Sequence, residues 1–123
     1  MTVGDFKELV VWQKSCDLVM ELYKLTKVFP KDELYGLTSQ IRRAAVSIPV
    51  NISEGYSRNS TNEFIQFLYI AFGSSSELET LVVLSNKLSF LSKQQTDIIT
   101  DKIYEVKRLL RGLINSLKNR RKQ

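Results

Sequence analysis

The sequence predicts an all-α fold, an antiparallel up-down four-helix bundle, on three observations. Apolar residues recur at spacings of three and four through most of the 123 residues. No run alternates with period two over the length of a strand, and short breaks with capping signals divide the chain into four long periodic segments. One domain, 1–123 with a basic C-terminal tail at 118–123, is of a size that supports a single continuous core.

Helix 1 is expected from near Asp5, where Asp5 and Glu8 form a capping pair, to about Val28, before Phe29-Pro30. It carries two apolar stripes. Leu9, Trp12, Cys16, Val19 and Tyr23 form one; Val11, Leu18, Leu22, Leu25 and Phe29 form another about 120° round at 3.6 residues per turn. A surface helix of a monomer shows one stripe, so the second points to deep embedding or to another subunit. A turn over Lys31–Gly36 leads into helix 2, expected from Leu37 to Glu54 and kinked at Pro49. The proline removes one backbone donor and costs about 3 kcal/mol in a regular helix interior. The periodicity from Ile48 to Ile52 nonetheless continues through it, so packing outweighs the local defect. Gly55 is placed at the C-cap.

Ser60-Thr61-Asn62-Glu63 is a capping box that starts helix 3. Its core stripe is expected at Phe64, Phe67, Leu68, Ala71, Leu78 and Val82, with Ile65, Tyr69, Phe72, Ser76 and Val83 as a second. The small residues Gly73–Ser76 are expected to admit a neighbouring backbone. Ser92–Gln95 repeats the capping logic for helix 4, whose stripe reads Ile99, Ile103, Val106, Leu110, Leu113 and Leu117.

Composition narrows the function classes. Hydrophobic residues at 43% and charged residues at 25% are ordinary for a soluble protein; no uninterrupted apolar run reaches the roughly 20 residues of a membrane span, so no membrane partner is expected. No secretory signal is visible at the N-terminus, which makes the cytoplasm the expected location, and Cys16 is expected to be packing. The absence of histidine removes the commonest general base and the Glu-x-x-His di-iron site of ferritin-like bundles. No Gly-rich phosphate loop occurs, and Glu77 and Glu79 stand two apart, off a common face. No catalytic residue, metal site, cofactor or small-molecule substrate is therefore expected.

Two groups of polar residues remain. Arg43, Asn51, Glu54 and Arg58 flank the proline and are read as a structural network pinning helix 2 to its neighbour. A rival enzyme reading makes the ground between Arg43 and Glu54 a ligand site. The chain's +5 charge is concentrated at its end, where eight basic residues stand against one acid from Lys102 onward. Lys107, Arg108, Arg111, Lys118, Arg120, Arg121 and Lys122 are the candidate nucleic-acid-binding residues, since such a surface neutralises phosphates and releases counterions.

The run Gln40-Ile41-Arg42-Arg43-Ala44-Ala45-Val46-Ser47-Ile48-Pro49-x-Asn51-Ile52-x-Glu54-Gly55 is followed by Arg58, Phe67-Leu68-x-Ile70-Ala71-x-Gly73-Ser74 and Glu77-Leu78-Glu79. Together with Leu9-Val10-Val11-Trp12 and Phe29-Pro30, it resembles the four-helix-bundle family of 23S ribosomal RNA intervening-sequence proteins, from about Phe6 to Leu117. Ser53 and Ser57 stand where the family commonly has alanine and glycine. The resemblance implies a bundle that assembles as a ring, typically a homopentamer, with no established enzymatic activity. Some members are encoded within insertions in ribosomal RNA genes. A related group serves reverse transcriptases of diversity-generating retroelements through a basic surface.

The expected function is thus a non-enzymatic, oligomeric protein associated with RNA or DNA, RNA first, through basic residues of helix 4. The alternative is a scaffold whose basic rim recruits an acidic protein partner.

Overall fold

The computed structural model describes residues 5–121. These form four α-helices and no strand: α1 (Val10–Thr26), α2 (Leu37–Tyr56), α3 (Thr61–Lys87) and α4 (Lys93–Arg121), with 3-10 turns at Phe6–Glu8 and Lys31–Glu33. α1 and α3 each pack on both α2 and α4, while the backbones of the diagonal pairs stay apart. Neighbours run in opposite senses. Asn62 meets Arg121 and Glu79 meets Lys107 across α3 and α4; Ser47 meets Ser74 and Gly55 meets Phe67 across α2 and α3. The result is the square up-down bundle that short connections favour.

Each helix contributes one face to a common core. Leu18 and Leu22, Ile41, Ile48 and Ile52, Leu68 and Leu78, Ile99, Ile103, Leu110 and Ile114 are all fully buried. Burying such a side chain is worth about 1.5–3 kcal/mol, so this core dominates the stability. α3 is long and apolar enough by composition to cross a membrane, although no single apolar run in it reaches that length. Leu68, Ala71, Leu78 and Val82 are completely covered by the bundle, while Tyr69, Ile70, Val83 and Leu84 on its other sides are exposed.

The helix ends differ from the sequence expectation where packing overrides local signals. Asp5 does cap, accepting from the Lys7 amide at 2.7 Å, but it caps the 3-10 turn. Leu9 is extended (φ −71°, ψ 126°), so α1 starts at Val10 and ends at Thr26. The break brings the Phe6 ring edge-on to Trp12 and Tyr56, at 5.4 and 6.5 Å between centroids. Of the two stripes on α1, the one with Val11, Leu18 and Leu22 is the core, and Leu9, Trp12 and Val19 pack half-buried along its margin. The second stripe thus reaches the core of its own chain.

α2 contains Pro49, buried, and continues to Tyr56. Gly55 is inside the helix, and Ser57 is the cap. A Cβ built on Gly55 would lie 2.7 Å from Phe67 Cβ and 3.2 Å from the Phe64 carbonyl oxygen, so this glycine is required by the approach of α3. Gly73, expected to admit a backbone, faces open space; of its neighbours, Ser75 is buried in the core and Ser74 shares a 2.8 Å hydrogen bond with Ser47. Ile65 takes the core position expected of Phe64 and Phe67, which are half-buried because they flank Gly55. In α4, Ile114 is buried in place of Leu113, which packs partly buried against the core; the two lie almost equally far to either side of the stripe axis, so the neighbouring helices decide between them.

The capping boxes form. Ser92 and Gln95 exchange side-chain to backbone hydrogen bonds of 3.0 Å each. At Ser60 the hydroxyl accepts from the Glu63 amide, and the Glu63 carboxylate turns onto that hydroxyl instead of the Ser60 amide. α3 ends in a Schellman motif: the Phe90 amide bonds the Ser85 carbonyl and the Ser89 amide that of Asn86, with Ser89 at φ 66°.

Two substitutions test these contacts by urea unfolding at unchanged denaturant slope. Gly55→Ala is expected to destabilise by about 1–3 kcal/mol, because backbone and a Cβ must give way. Ser89→Gly is expected to stabilise by up to about 1 kcal/mol, because glycine adopts positive φ without a Cβ penalty.

Candidate nucleic-acid interface

α4 presents its cations to two different sides. Lys107, Arg111 and Lys118 recur at steps of four and seven and share one face, which lies against α3. The Lys107 and Arg111 charges sit 5.1 and 4.6 Å from the centroid of Phe72, and the Lys118 charge 5.1 Å from that of Tyr69. Arg121 extends the row by donating to Asn62 Oδ1 at 2.7 Å. The α3 residues under these cations belong to its second apolar stripe. The helix-4 cations therefore cover part of that stripe from within the chain, through cation–π contacts and alkyl stems. Antiparallel pairing brings the two patterns together; neither helix alone reveals it.

Arg108 and Arg120 are exposed and lie off this row, with no ion pair or hydrogen bond among the described residues. Lys122 is outside the described residues. The seven candidate cations thus divide into a row of four on the α3–α4 seam, two elsewhere, and one not placed. Facing α1, the seam is electrically balanced: Lys14 pairs with Glu105 and Lys102 with Glu21, at 3.7 and 3.8 Å.

Within the row, Lys107 is neutralised. Its ammonium donates to Glu79 Oε1 at 3.1 Å, and the Tyr104 hydroxyl donates to Glu79 Oε2 at 3.0 Å. Burial pushes the Glu79 carboxyl up, but the hydrogen bonds from Lys107 and Tyr104 and the Lys107 charge together outweigh it and hold the group below its usual range. The same hydrogen bond pushes the Tyr104 hydroxyl up. Arg111, Lys118 and Arg121 have no carboxylate partner among the described residues and lie along the rings of Tyr69 and Phe72. Phe72 was not among the candidate residues, and the spacing of Tyr69 and Tyr104 fits base stacking and packing equally well; for Tyr69 and Phe72 the deciding signal is the register of the second helix-3 stripe against the cations of helix 4.

The four residues read as one structural network do not form one. Asn51 donates to the Ser47 carbonyl and hydroxyl at 2.8 and 2.9 Å, and Ser47 reaches Ser74 on α3, so this part does link α2 to its neighbour. Glu54 and Arg58 make a 3.0 Å pair one turn apart, exposed and worth about 0–1 kcal/mol, with the Arg58 guanidinium over Phe67. Arg43 has no ion pair or hydrogen bond among the described residues and borders two surface depressions. No group of three or more acidic or cysteine side chains converges among the described residues.

A family profile described as 23S rRNA-intervening sequence protein matches residues 7–112. The chain belongs to this family. The matched span includes Lys107, Arg108 and Arg111 and stops before Lys118, so only part of the cation row lies in the region shared with the 23S rRNA-intervening sequence proteins. A crystal structure of a protein of unknown function from the S23 ribosomal protein family of Bacteroides thetaiotaomicron superposes with a TM-score of 0.80. It is 27% identical, and the match covers 86% of this chain and 96% of that one. No curated protein matches the chain. Neither the family description nor the neighbour's names a catalytic activity.

The Glu79 cluster predicts a pH signature. A carboxyl held low in the folded state adds stability that is present above its unfolded pKa and lost as pH falls through the folded one. Glu79→Gln is therefore expected to cost about 0.5–1.5 kcal/mol at pH 7 and to flatten the loss of stability below about pH 5, both measured by chemical unfolding across pH.

Proposed function

We propose that this member of the 23S rRNA-intervening sequence protein family is a non-enzymatic, oligomeric protein that associates with nucleic acid, RNA first, through the row of Arg111, Lys118 and Arg121 on the α3–α4 seam. The observation that carries the reading is the alternation of cations with the rings of Phe72 and Tyr69. Phosphates meet charge there, and the Tyr69 ring, 46% exposed beside Lys118, keeps part of its surface open to an unpaired base. The row is a stripe on the outside of two helices, the form suited to tracking a backbone. The family's name, which refers to ribosomal RNA, favours RNA and the cytoplasm.

Assembly into a homo-oligomer, with five copies as the family resemblance implies, is supported by apolar side chains left uncovered. Val83 and Leu84 of α3, Leu88 at its cap and Ile98 of α4 are all more than 40% exposed. Several copies of a +5 chain would multiply a modest phosphate affinity.

Two measurements test this. Changing Arg111, Lys118 and Arg121 together to glutamine is expected to weaken RNA binding about equally across sequences and to reduce the slope of log affinity against log salt by about 2–3. A wild-type protein that binds no RNA or DNA but recovers an acidic protein after crosslinking in its own cell would replace this reading with the scaffold. Light scattering should report a multiple of the 14.2 kDa chain mass; a monomer at micromolar concentration removes the oligomer.

A further inference from the structure

A second surface carries nucleic-acid chemistry, diagonally across the bundle from α4. An open groove of about 680 Å³ lies between Tyr23 near the end of α1, Leu34 and Tyr35 after the Lys31–Glu33 turn, and the outer face of α2. Its volume lies within the range of ligand sites. Tyr35 projects at its edge, 93% exposed, a ring with almost no part in the fold. The floor is apolar, from Val46 and Val50.

Charge and planarity say what the groove takes. Its lining contains Arg42 and Arg43 and no carboxylate. The nearby Glu33 carboxylate is turned to the start of α2, where it accepts from the Leu37 amide at 3.1 Å. Arg42 is already oriented: its Nε donates to the Thr26 hydroxyl at 3.0 Å, and its guanidinium lies 4.5 Å from the centroid of Tyr23. One of its five N–H donors is used, which leaves the forked end to bind an anion. Arg43 is unpaired among the described residues. The exposed Tyr35 ring beside the oriented Arg42 guanidinium and the unpaired Arg43 forms a stacking platform with a phosphate clamp, the combination that selects unpaired nucleotides over duplex.

We infer that this groove binds an unpaired nucleotide of a single-stranded nucleic acid, its base stacked on Tyr35 and its flanking phosphates held by Arg42 and Arg43. The site rests on the reading that the protein binds nucleic acid, and it is separate from the α4 row.

The test uses the full chain and fluorescence anisotropy with labelled oligo-U, oligo-dT and an RNA duplex, for wild type, Tyr35→Ala, Arg43→Gln and the triple α4 variant. Tyr35→Ala is expected to weaken oligo-U binding roughly five- to tenfold and leave duplex binding unchanged, because paired bases offer no free face. Equal loss with oligo-dT assigns the site to single strands generally; loss with oligo-U alone assigns it to RNA. Both support the groove. Wild-type binding that Tyr35→Ala and Arg43→Gln leave intact, with ultraviolet crosslinks mapping only to α4, overturns the groove and spares the α4 reading. No binding of any probe by wild type overturns both. A molar mass in solution that falls in Tyr35→Ala while RNA affinity is unchanged assigns the groove to a second copy of the chain and overturns the inference. Binding of an acidic amphipathic peptide that is lost in the same variant, again with RNA affinity unchanged, overturns it in favour of a protein partner.

Discussion

The close approach of α2 and α3 at Gly55 sets the register on which the other contacts depend. With only a hydrogen where other residues carry a Cβ, the α2 backbone comes against Phe64 and Phe67. Those two rings are thereby fixed at the margin of the core, and Ile65 and Leu68 turn inward. The same register aligns Ser47 with Ser74 further along the pair, so a polar contact and a steric one specify the same alignment. Agreement between independent contacts is what singles out one packing among the many available to four amphipathic helices.

Once α3 is oriented, its wide apolar surface has to be covered on more than one side. Leu68, Ala71, Leu78 and Val82 face the core, and Tyr69 and Phe72 are left on the flank toward α4. The lysine and arginine side chains of α4 lie over these rings with their charged ends still in water, an arrangement open to long amphipathic side chains and to few others. A basic helix in this bundle is therefore both part of the packing and a charged surface. Its electrostatic availability is uneven: Glu79 neutralises Lys107, Glu21 and Glu105 balance the α1 side, and charge remains toward the end of the helix.

α2 shows the complementary case. Its inner face of Ile41, Ala45, Ile48 and Ile52 is completely buried, and packing on that face carries the helix past Pro49. Its outer face, with Arg43, Val46 and Val50, is exposed, and Arg42 at the edge of that face is half-buried against Thr26 and Tyr23 of α1. The residues that make this chain recognisable as a family member run across both faces. The inner ones account for the fold; the outer ones are where binding chemistry is available.

The sequence by itself determined the helices, their order, their caps at Ser60 and Ser92 and most of the core, because a period of 3.6 and a side-chain cap are local properties of a few consecutive residues. It also located the basic end of the chain and the family. Tertiary structure decided the rest. Whether Gly55 ends a helix or admits a neighbour depends on where α3 crosses. Whether Arg43, Asn51, Glu54 and Arg58 act together depends on what each meets, and Arg43 meets none of the others while Asn51 turns to Ser47 and Glu54 to Arg58. Which lysines and arginines retain free charge depends on the carboxylates and rings of two other helices. Ionic and aromatic contacts act at a few ångströms between residues tens of positions apart, and no pattern along one helix contains that information.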